Sequence, residues 1–409
     1  MNTDDLLAEL RSLLQQPPKL PVWTALCEQL ELWPDDARVE IAIPYALGYL
    51  DRWPDAIRRE SRYDWVKELR GGRDEPRLQL CNALQGGQRT GDAGARKIAR
   101  SAHLTRLRYL DLSFADVKDA GVRALCASPH LSGLRHLNLC NNYTLTGASL
   151  AALTSSPSLS GLERLELASC PITDAALAPL LSATSPALRE LRLNKTQVGA
   201  ASLAALMDSP ALRRVETLIL DDLPIGPDFA RALAASPHMA SLSYLALRHN
   251  PLGPDGAAAL AGAPLLRGLR HLYLERCELG DEGAARLIAS PNLASIIALE
   301  LERNGLGAEA ARALTTTRLP HLDSLNLNFN PIGPAAFISM ISADNMPALS
   351  ALYAEVCGLD DAVIAPLLSS PNFVHLRYIF ARGNGFSAAG MSTLREACAR
   401  VGCSIILPS

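Results

Sequence analysis

Residues 269–279 read LRHLYLERCEL. The apolar places spell L-x-x-L-x-L-x-x-C-x-L. Leu272 and Leu274 flank Tyr273, the alternation expected of a short strand buried on one face. Cys277 stands where the chain must turn, and Leu279 re-enters the core. The same phrase recurs outward from here. Its opening position is held by Leu107, Leu134, Leu162, Leu188, Val215, Leu242, Leu269, Ile296, Leu322, Leu349 and Leu376. These eleven copies lie 26 to 28 residues apart, a spacing at which stacked repeat units form solenoids.

Two further columns support this register. Asn142, Cys170, Asn250, Cys277, Asn304, Asn330, Cys357 and Asn384 share the turn position. Stacked from repeat to repeat, such side chains can bond backbone groups that the bend leaves orphaned. Ala115, Thr196 and Leu223 interrupt the ladder. A helix is expected after each strand. A small residue recurs on it at Gly121, Ser149, Ala176, Ser202, Gly256, Gly283, Ala310, Ala336 and Gly390, where it should let the helix sit close behind the strand. Four residues later comes Leu125, Leu153, Leu180, Leu206, Leu233, Leu260, Leu287, Leu314, Leu367 or Leu394, with Met340 the exception, so both columns share one helical face. Parallel strands stack about 4.8 Å apart and helices about 10 Å, so the array should curve, with strands inside and helices outside.

The spelling GDEGAARL at 280–287 resembles the ribonuclease-inhibitor class of leucine-rich repeats. SPHLSGLRHLNL at 128–139, with relatives at 156–167 and 290–301, looks like repeats common in bacterial proteins. The resemblance implies an α/β fold: a leucine-rich repeat solenoid, or horseshoe, with parallel strands on the concave face, helices on the convex face and a helical N-terminal cap. It covers about three quarters of the chain and is specific for fold, whereas function is carried by sites rather than folds.

Ahead of the array, residues 1–79 hold all four tryptophans, Trp23, Trp33, Trp53 and Trp65. This stretch carries 11 basic and 15 acidic side chains, and the remainder carries 28 and 27, so composition changes near residue 80. Leu6, Leu7, Leu10, Leu13 and Leu14 recur at helical spacing, and Trp-Pro-Asp at 33–35 and 53–55 should separate helices. The segment is expected to cap the first repeat, since an uncapped terminal unit exposes apolar surface. Residues 80–106 read as a degenerate transitional repeat, with Leu80 and Ala83 standing where Leu107 and Leu110 stand and Gln85 and Gln88 in apolar places. Residues 107–403 form the array, and 404–409 close it with a strand.

Net charge is −3, which supplies no basic field for nucleic acid or anionic lipid. The N-terminus is an acidic amphipathic helix rather than a leader, and no apolar run is long enough to span a membrane. Nine cysteines without framework spacing point to a reducing, cytoplasmic setting. Cys398 and Cys403 lack the second pair that a zinc site needs, and fit the last helix and the closing strand. His103, His130, His238 and His321 follow the repeat period. No phosphate loop, nucleophile elbow or metalloprotease signature occurs. No catalytic residue, cofactor or metal ligand is therefore assigned, and the protein is expected not to be an enzyme.

What remains is the outward row of each strand. In the N-terminal repeats Arg164 faces Glu190 and Glu166 faces Arg192, so charges should satisfy one another. Further on, Glu275 lies beside Glu302, and Glu300 lies between Tyr273 and Asn326. Either the neighbouring Arg276 and Arg303 neutralise these carboxylates, or a partner does. Tyrosine enrichment marks interface centres. The candidate partner-binding residues are Tyr244, Arg248, His271, Tyr273, Glu275, Glu300, Glu302, Asn326, Asn328, Tyr353, Glu355, Tyr378 and Phe380. The expected function is a non-enzymatic scaffold that binds a protein partner on the concave face, with no role for nucleic acid or membrane. The alternative is regulation of a nucleotide-hydrolysing partner such as a small GTPase. Ribonuclease-inhibitor-like repeats also build GTPase-activating proteins, but no residue here matches that activity individually.

Overall fold

The computed structural model describes residues 2–54, 57–58, 63–181 and 187–407, with side chains throughout except at 63–66. The chain divides into two compact units, Met1–Leu188 and Arg189–Ser409.

The first unit begins with helices over Thr3–Leu14, Leu20–Glu31, Ile43–Leu50 and Tyr63–Gly71. Leu6, Leu10, Trp23, Leu26, Leu30, Trp33 and Trp53 are buried among them. Gln29 spans two of these helices: its Nε2 donates to the Leu6 carbonyl at 2.8 Å, and its Oε1 accepts from the Trp33 indole at 3.2 Å. The first Trp-Pro-Asp triplet separates helices as expected, with Pro34 at the N-cap of Asp35–Ala37. Asp55 of the second triplet and the side chain of Trp65 lie outside the described residues. Arg77, nearly buried, ties this core to the turn that leads into the repeats. Its guanidinium bonds Glu75 at 2.6 Å and pairs with Glu31. Burial would lift the Glu75 carboxyl, but these bonds hold it below its usual value.

Four parallel strands follow in chain order: β1 Ala83–Gln85, β2 Tyr109–Asp111, β3 His136–Asn138 and β4 Arg164–Glu166. The second unit continues the plan with β5 Glu190–Arg192, β6 Thr217–Ile219, β7 Tyr244–Ala246, β8 His271–Tyr273, β9 Ala298–Glu300, β10 Ser324–Asn326, β11 Ala351–Tyr353, β12 Tyr378–Phe380 and β13 Ser404–Ile406. Each pairs in parallel with the next, and central residues such as Leu245, Leu272, Leu299, Leu325, Leu352 and Ile379 form one buried row. Short strands succeed here because each residue between two apolar places points out of the pleat.

The first repeat departs from the sequence reading by one residue. Leu84 pairs with Leu110 and Gln85 with Asp111, so Gln85 faces outward and is no defect in the core. Gly86 then abuts Leu112, whose Cδ2 would lie 2.4 Å from an added Cβ. With a helix over Gly91–Arg100, this repeat is complete.

The turn ladder forms as the side chains predict. Asn304 is buried, and its Nδ2 donates to the carbonyls of Leu274 at 2.6 Å and Leu301 at 3.1 Å. Its Oδ1 accepts the Cys277 N–H at 2.8 Å. Asn142, Asn250, Asn330 and Asn384 repeat the pattern. Cys170, Cys277 and Cys357 donate Sγ–H to a carbonyl just after the strand of the preceding rung, at 3.0–3.2 Å.

The small helical residues have a different role from the one expected. At Gly283 an added Cβ would come within 2.6 Å of Pro254 Cα, on the preceding helix. At Gly121 and Gly390 it would strike Asp92 and Asp361. These positions set helix-to-helix spacing rather than helix-to-strand spacing. The aspartates form a second ladder that the sequence reading missed. Asp281 accepts the N–H groups of Gly307, Glu309 and Ala310 at 2.8–3.0 Å, capping the next helix. Asp92, Asp119 and Asp361 cap the helices that follow theirs in the same way. Partial burial pushes the Asp281 carboxyl up, but the three donors outweigh it and hold it below its usual value.

Candidate protein-binding face

The outward row of the second unit brings most of the candidate residues together. In register across β7 to β12 stand Tyr244, His271, Ala298, Ser324, Ala351 and Tyr378, and beside them Ala246, Tyr273, Glu300, Asn326, Tyr353 and Phe380. Two aromatic groups result, separated by the polar rungs β9 and β10.

The first group is Tyr244, His271 and Tyr273. Tyr244 lies 4.9 Å from Tyr273 and 5.6 Å from His271 by ring centroid. The Arg248 guanidinium covers Tyr273 at 4.2 Å and lies 3.4 Å from Asp221 and 3.8 Å from Glu300. Tyr273 is only partly exposed, and burial pushes its phenol up to about 12. Burial and the nearby Arg270 lower the pKa of the His271 imidazole. Tyr273 therefore does not simply face solvent, because Tyr244 packs against its ring and Arg248 covers its face.

The carboxylates also find local partners. Glu275 lies 3.4 Å from His249 and 3.6 Å from Arg276. Glu302 lies 3.3 Å from Arg303 and accepts from Asn326 Nδ2 at 3.3 Å. Of the two readings, neutralisation by Arg276 and Arg303 is the one the geometry provides. Glu300 is less well served. Burial raises its pKa, Arg248 opposes this, and Glu275, Glu302 and Asp221 add to the rise. Asn328 is buried, with its Oδ1 accepting the Glu355 N–H at 2.7 Å, so it braces the loop after β11.

The second group lies on β11 and β12. Tyr353 and Phe380 stack at 4.5 Å with ring planes 8° apart, and Tyr378 is 49% exposed. Two residues that sequence reasoning missed join them. The residue before each ladder position is left-handed throughout the second unit, and this column reads Lys195, Asp222, His249, Arg276, Arg303, Phe329, Val356 and Gly383. Polar residues and glycine bear such a conformation most easily, whereas a β-branched side chain at positive φ is a genuine outlier. Phe329 (φ 56°) and Val356 (φ 53°) are nonetheless exposed at 37% and 44%. Arg303 lies over the Phe329 ring at 4.0 Å. An apolar residue in a polar column was the available signal.

Comparison with known proteins finds the same repeat. The Leucine Rich repeat model matches residues 103–126, 238–261, 267–287 and 318–336. The chain carries leucine-rich repeats. Among solved structures, an internalin of Listeria monocytogenes shares the leucine-rich repeat fold at 17% identity, covering 84% of this chain and 94% of that one with a TM-score of 0.51. A crystal structure of the Rad7 and Elc1 complex in yeast matches at 18% identity over 94% of this chain and 96% of that one, TM-score 0.49. A leucine-rich repeat protein of Leptospira interrogans matches at 17% identity over 85% and 99%, TM-score 0.44. No curated protein matches the sequence.

Proposed function

We propose that this leucine-rich repeat protein is a non-enzymatic scaffold that holds a protein partner on its strand face, over the rungs β10 to β12. The observation that carries the reading is the exposed apolar surface there. Tyr353, Phe380 and Tyr378 stand on adjacent rungs, and Phe329 and Val356 keep apolar side chains in solvent at a backbone conformation that disfavours them. Backbone strain of this kind persists where surroundings over-determine it, and it clusters at ligand clamps. Strand ends supply the rest: Glu355 and Arg382 flank the patch as a polar rim, and Tyr244, Arg248, His271, Tyr273, Glu275, Glu300, Glu302 and Asn326 extend it along the same face. The helix after each strand supports a ribonuclease-inhibitor-like repeat. Nine free, buried cysteines support a reducing compartment such as the cytoplasm.

The test is capture by the full-length protein from a lysate of its own source, run beside a Phe329→Ser/Val356→Asp variant with circular dichroism as a check on folding. A partner retained by the first and lost by the second, then confirmed with purified components, supports the reading. A partner held equally by both, and released instead by Glu309→Ala on the helix face, refutes it.

A further inference from the structure

The last helix, Ala388–Val401, ends on Gly402, whose φ of 74° and ψ of 21° are left-handed. Glycine bears that conformation without a steric penalty. Two backbone bonds close the end. The Gly402 N–H donates to the Ala399 carbonyl at 3.4 Å, and the Cys403 N–H donates to the Cys398 carbonyl at 2.9 Å. This is the Schellman closure, which brings the side chains at its two ends into contact. Both ends here are cysteines, and neither belongs to the turn ladder. The outer bond also limits their separation. A carbonyl oxygen lies about 2.4 Å from its own Cα and an amide nitrogen about 1.5 Å from its own, so the bond keeps the two Cα atoms within about 6.8 Å. Disulfides span Cα separations of about 4.4 to 6.8 Å. The thiols are already hydrogen-bonded to one another. Both are free, Cys398 wholly buried and Cys403 7% exposed. Cys403 leads straight into β13, where the Ser404 N–H donates to the Arg377 carbonyl at 2.7 Å and the strand pairs with β12.

We propose that Cys398 and Cys403 form a redox-responsive pair: a hydroperoxide converts them to a disulfide that clasps the closing strand β13 to the last helix, and a dithiol reductant reopens it. Cys403 reacts first. It is the more exposed of the two, and the Cys398 thiol bonded to it favours its thiolate, against the effect of burial. The Cys403 thiolate, its proton released to water, attacks one peroxide oxygen. The O–O bond breaks, hydroxide leaves and takes up a proton, and Cys403 becomes a sulfenic acid. The Cys398 sulfur then attacks the Cys403 sulfur. The S–O bond breaks, and the second hydroxide departs as water with the Cys398 proton. The two sulfurs give up two electrons in all, and the peroxide takes them. A dithiol restores both thiols by exchange and is itself left as a disulfide. Such a pair suits a reducing compartment, where disulfides are transient and serve redox sensing. The clasp stands apart from the strand-face reading and does not rest on it.

Peptide mapping of the full-length protein tests the proposal. The protein is treated with equimolar hydrogen peroxide, alkylated in denaturant and cleaved with trypsin without reduction. Trypsin cuts after Arg395 and Arg400, so a disulfide here joins residues 396–400 to 401–409. The joined pair is the expected product, lighter by two hydrogens than the separate thiol peptides and parted by dithiothreitol. Cys277 and Cys357, buried in the turn ladder, should be recovered as alkylated thiols. Cys398→Ser should leave Cys403 as a sulfenic acid that dimedone captures, and Cys403→Ser should leave Cys398 unreacted. Thermal melting checks the fold of both variants, and the wild-type map stands without them. In hydrogen exchange, the Cys403 and Ser404 amides should be protected roughly tenfold better after oxidation, as closing a short loop implies. Absence of the joined pair, its presence only in a covalent dimer on a non-reducing gel, sulfinic acid at Cys403 in place of the cross-link, or exchange unchanged by oxidation overturns the proposal.

Discussion

Replacing Asn304 tests the turn ladder most directly. Its amide fills two donor positions, to the Leu274 and Leu301 carbonyls, and its Oδ1 accepts from Cys277 and Leu279. At about 1 kcal/mol net for each buried hydrogen bond, Asn304→Ala should cost roughly 4 kcal/mol. Asn304→Cys should cost about half of that. The thiol can donate to a carbonyl of the preceding rung, as Cys277 does to Leu247, but it offers little in place of the Oδ1 acceptor. The expected order is therefore asparagine, cysteine, alanine. Urea unfolding followed by circular dichroism gives the order. Repeat arrays open locally, so amide exchange gives the place. The N–H groups of Cys277 and Leu279 should lose protection in both variants. A cysteine variant as damaged as the alanine one, or a cost below about 1 kcal/mol for either, would show that the ladder is not held by these bonds.

The remaining predictions follow from the same interactions. Native labelling with a thiol reagent should leave Cys170, Cys277 and Cys357 slow, since burial pushes their thiols up to about 11, 12 and 11; rapid reaction at all three would contradict their place in the ladder. Asp281→Ala should lower stability by about 1 kcal/mol at neutral pH, the usual cost of a lost cap. Because the folded carboxyl is held below its usual value, the cap's contribution is complete above the unfolded pKa near 4 and fades as pH falls through the lower folded one. Wild type and variant should thus converge in acid, and a difference that grows there would reverse the sign. Deleting residues 1–79 removes Arg77 with Glu31 and Glu75, and the fragment should aggregate; a soluble, cooperatively melting fragment would mark a detachable module. Tyr353→Ala should weaken partner binding by about 2 kcal/mol, as truncation of a central aromatic anchor does, and unchanged affinity would move the interface elsewhere.

The parts of this protein legible in its sequence are those fixed by period. Alternation around Tyr273 gives a strand, and the column through Asn250, Cys277 and Asn304 gives the turn, because neither leaves the backbone an alternative with its polar groups satisfied. What escaped depends on neighbours 26 to 30 residues away. Asp281 looks like an ordinary first-turn acid, and its bonds to the helix at Ala308–Thr316 appear only when two repeats stack. Gln85 seemed misplaced because the first repeat is shorter by one residue than its spacing suggests, and Gly86 abuts Leu112. Glu275 and Glu302 looked opposed, yet rotamer choice brings Arg276 and Arg303 back over them. The column of exposed residues was readable, but its left-handed backbone was not, so Phe329 and Val356 carried no weight.

Those corrections move the proposed interface along the face. A partner that covered Tyr273 would first have to displace or share Arg248, which already holds that ring and lies near Asp221 and Glu300. Breaking a half-buried charged contact offsets much of what the ring would gain from burial. Glu275 and Glu302 likewise have their charge answered within the chain, so in the proposed interface they would steer approach more than hold a partner. On β11 and β12 no such exchange is required. The rings of Tyr353 and Phe380 are stacked on one another, which fixes their rotamers before contact and removes part of the ordering cost of association. Val356 and Phe329 are held in place by the ladder residues that follow them, Cys357 and Asn330, whose own bonds are buried. Rigid apolar groups that need no internal contact broken are the ones whose burial would convert most directly into affinity, and Tyr353, Phe380 and Val356 are such groups, whereas Phe329 beside them would have to share its ring with Arg303.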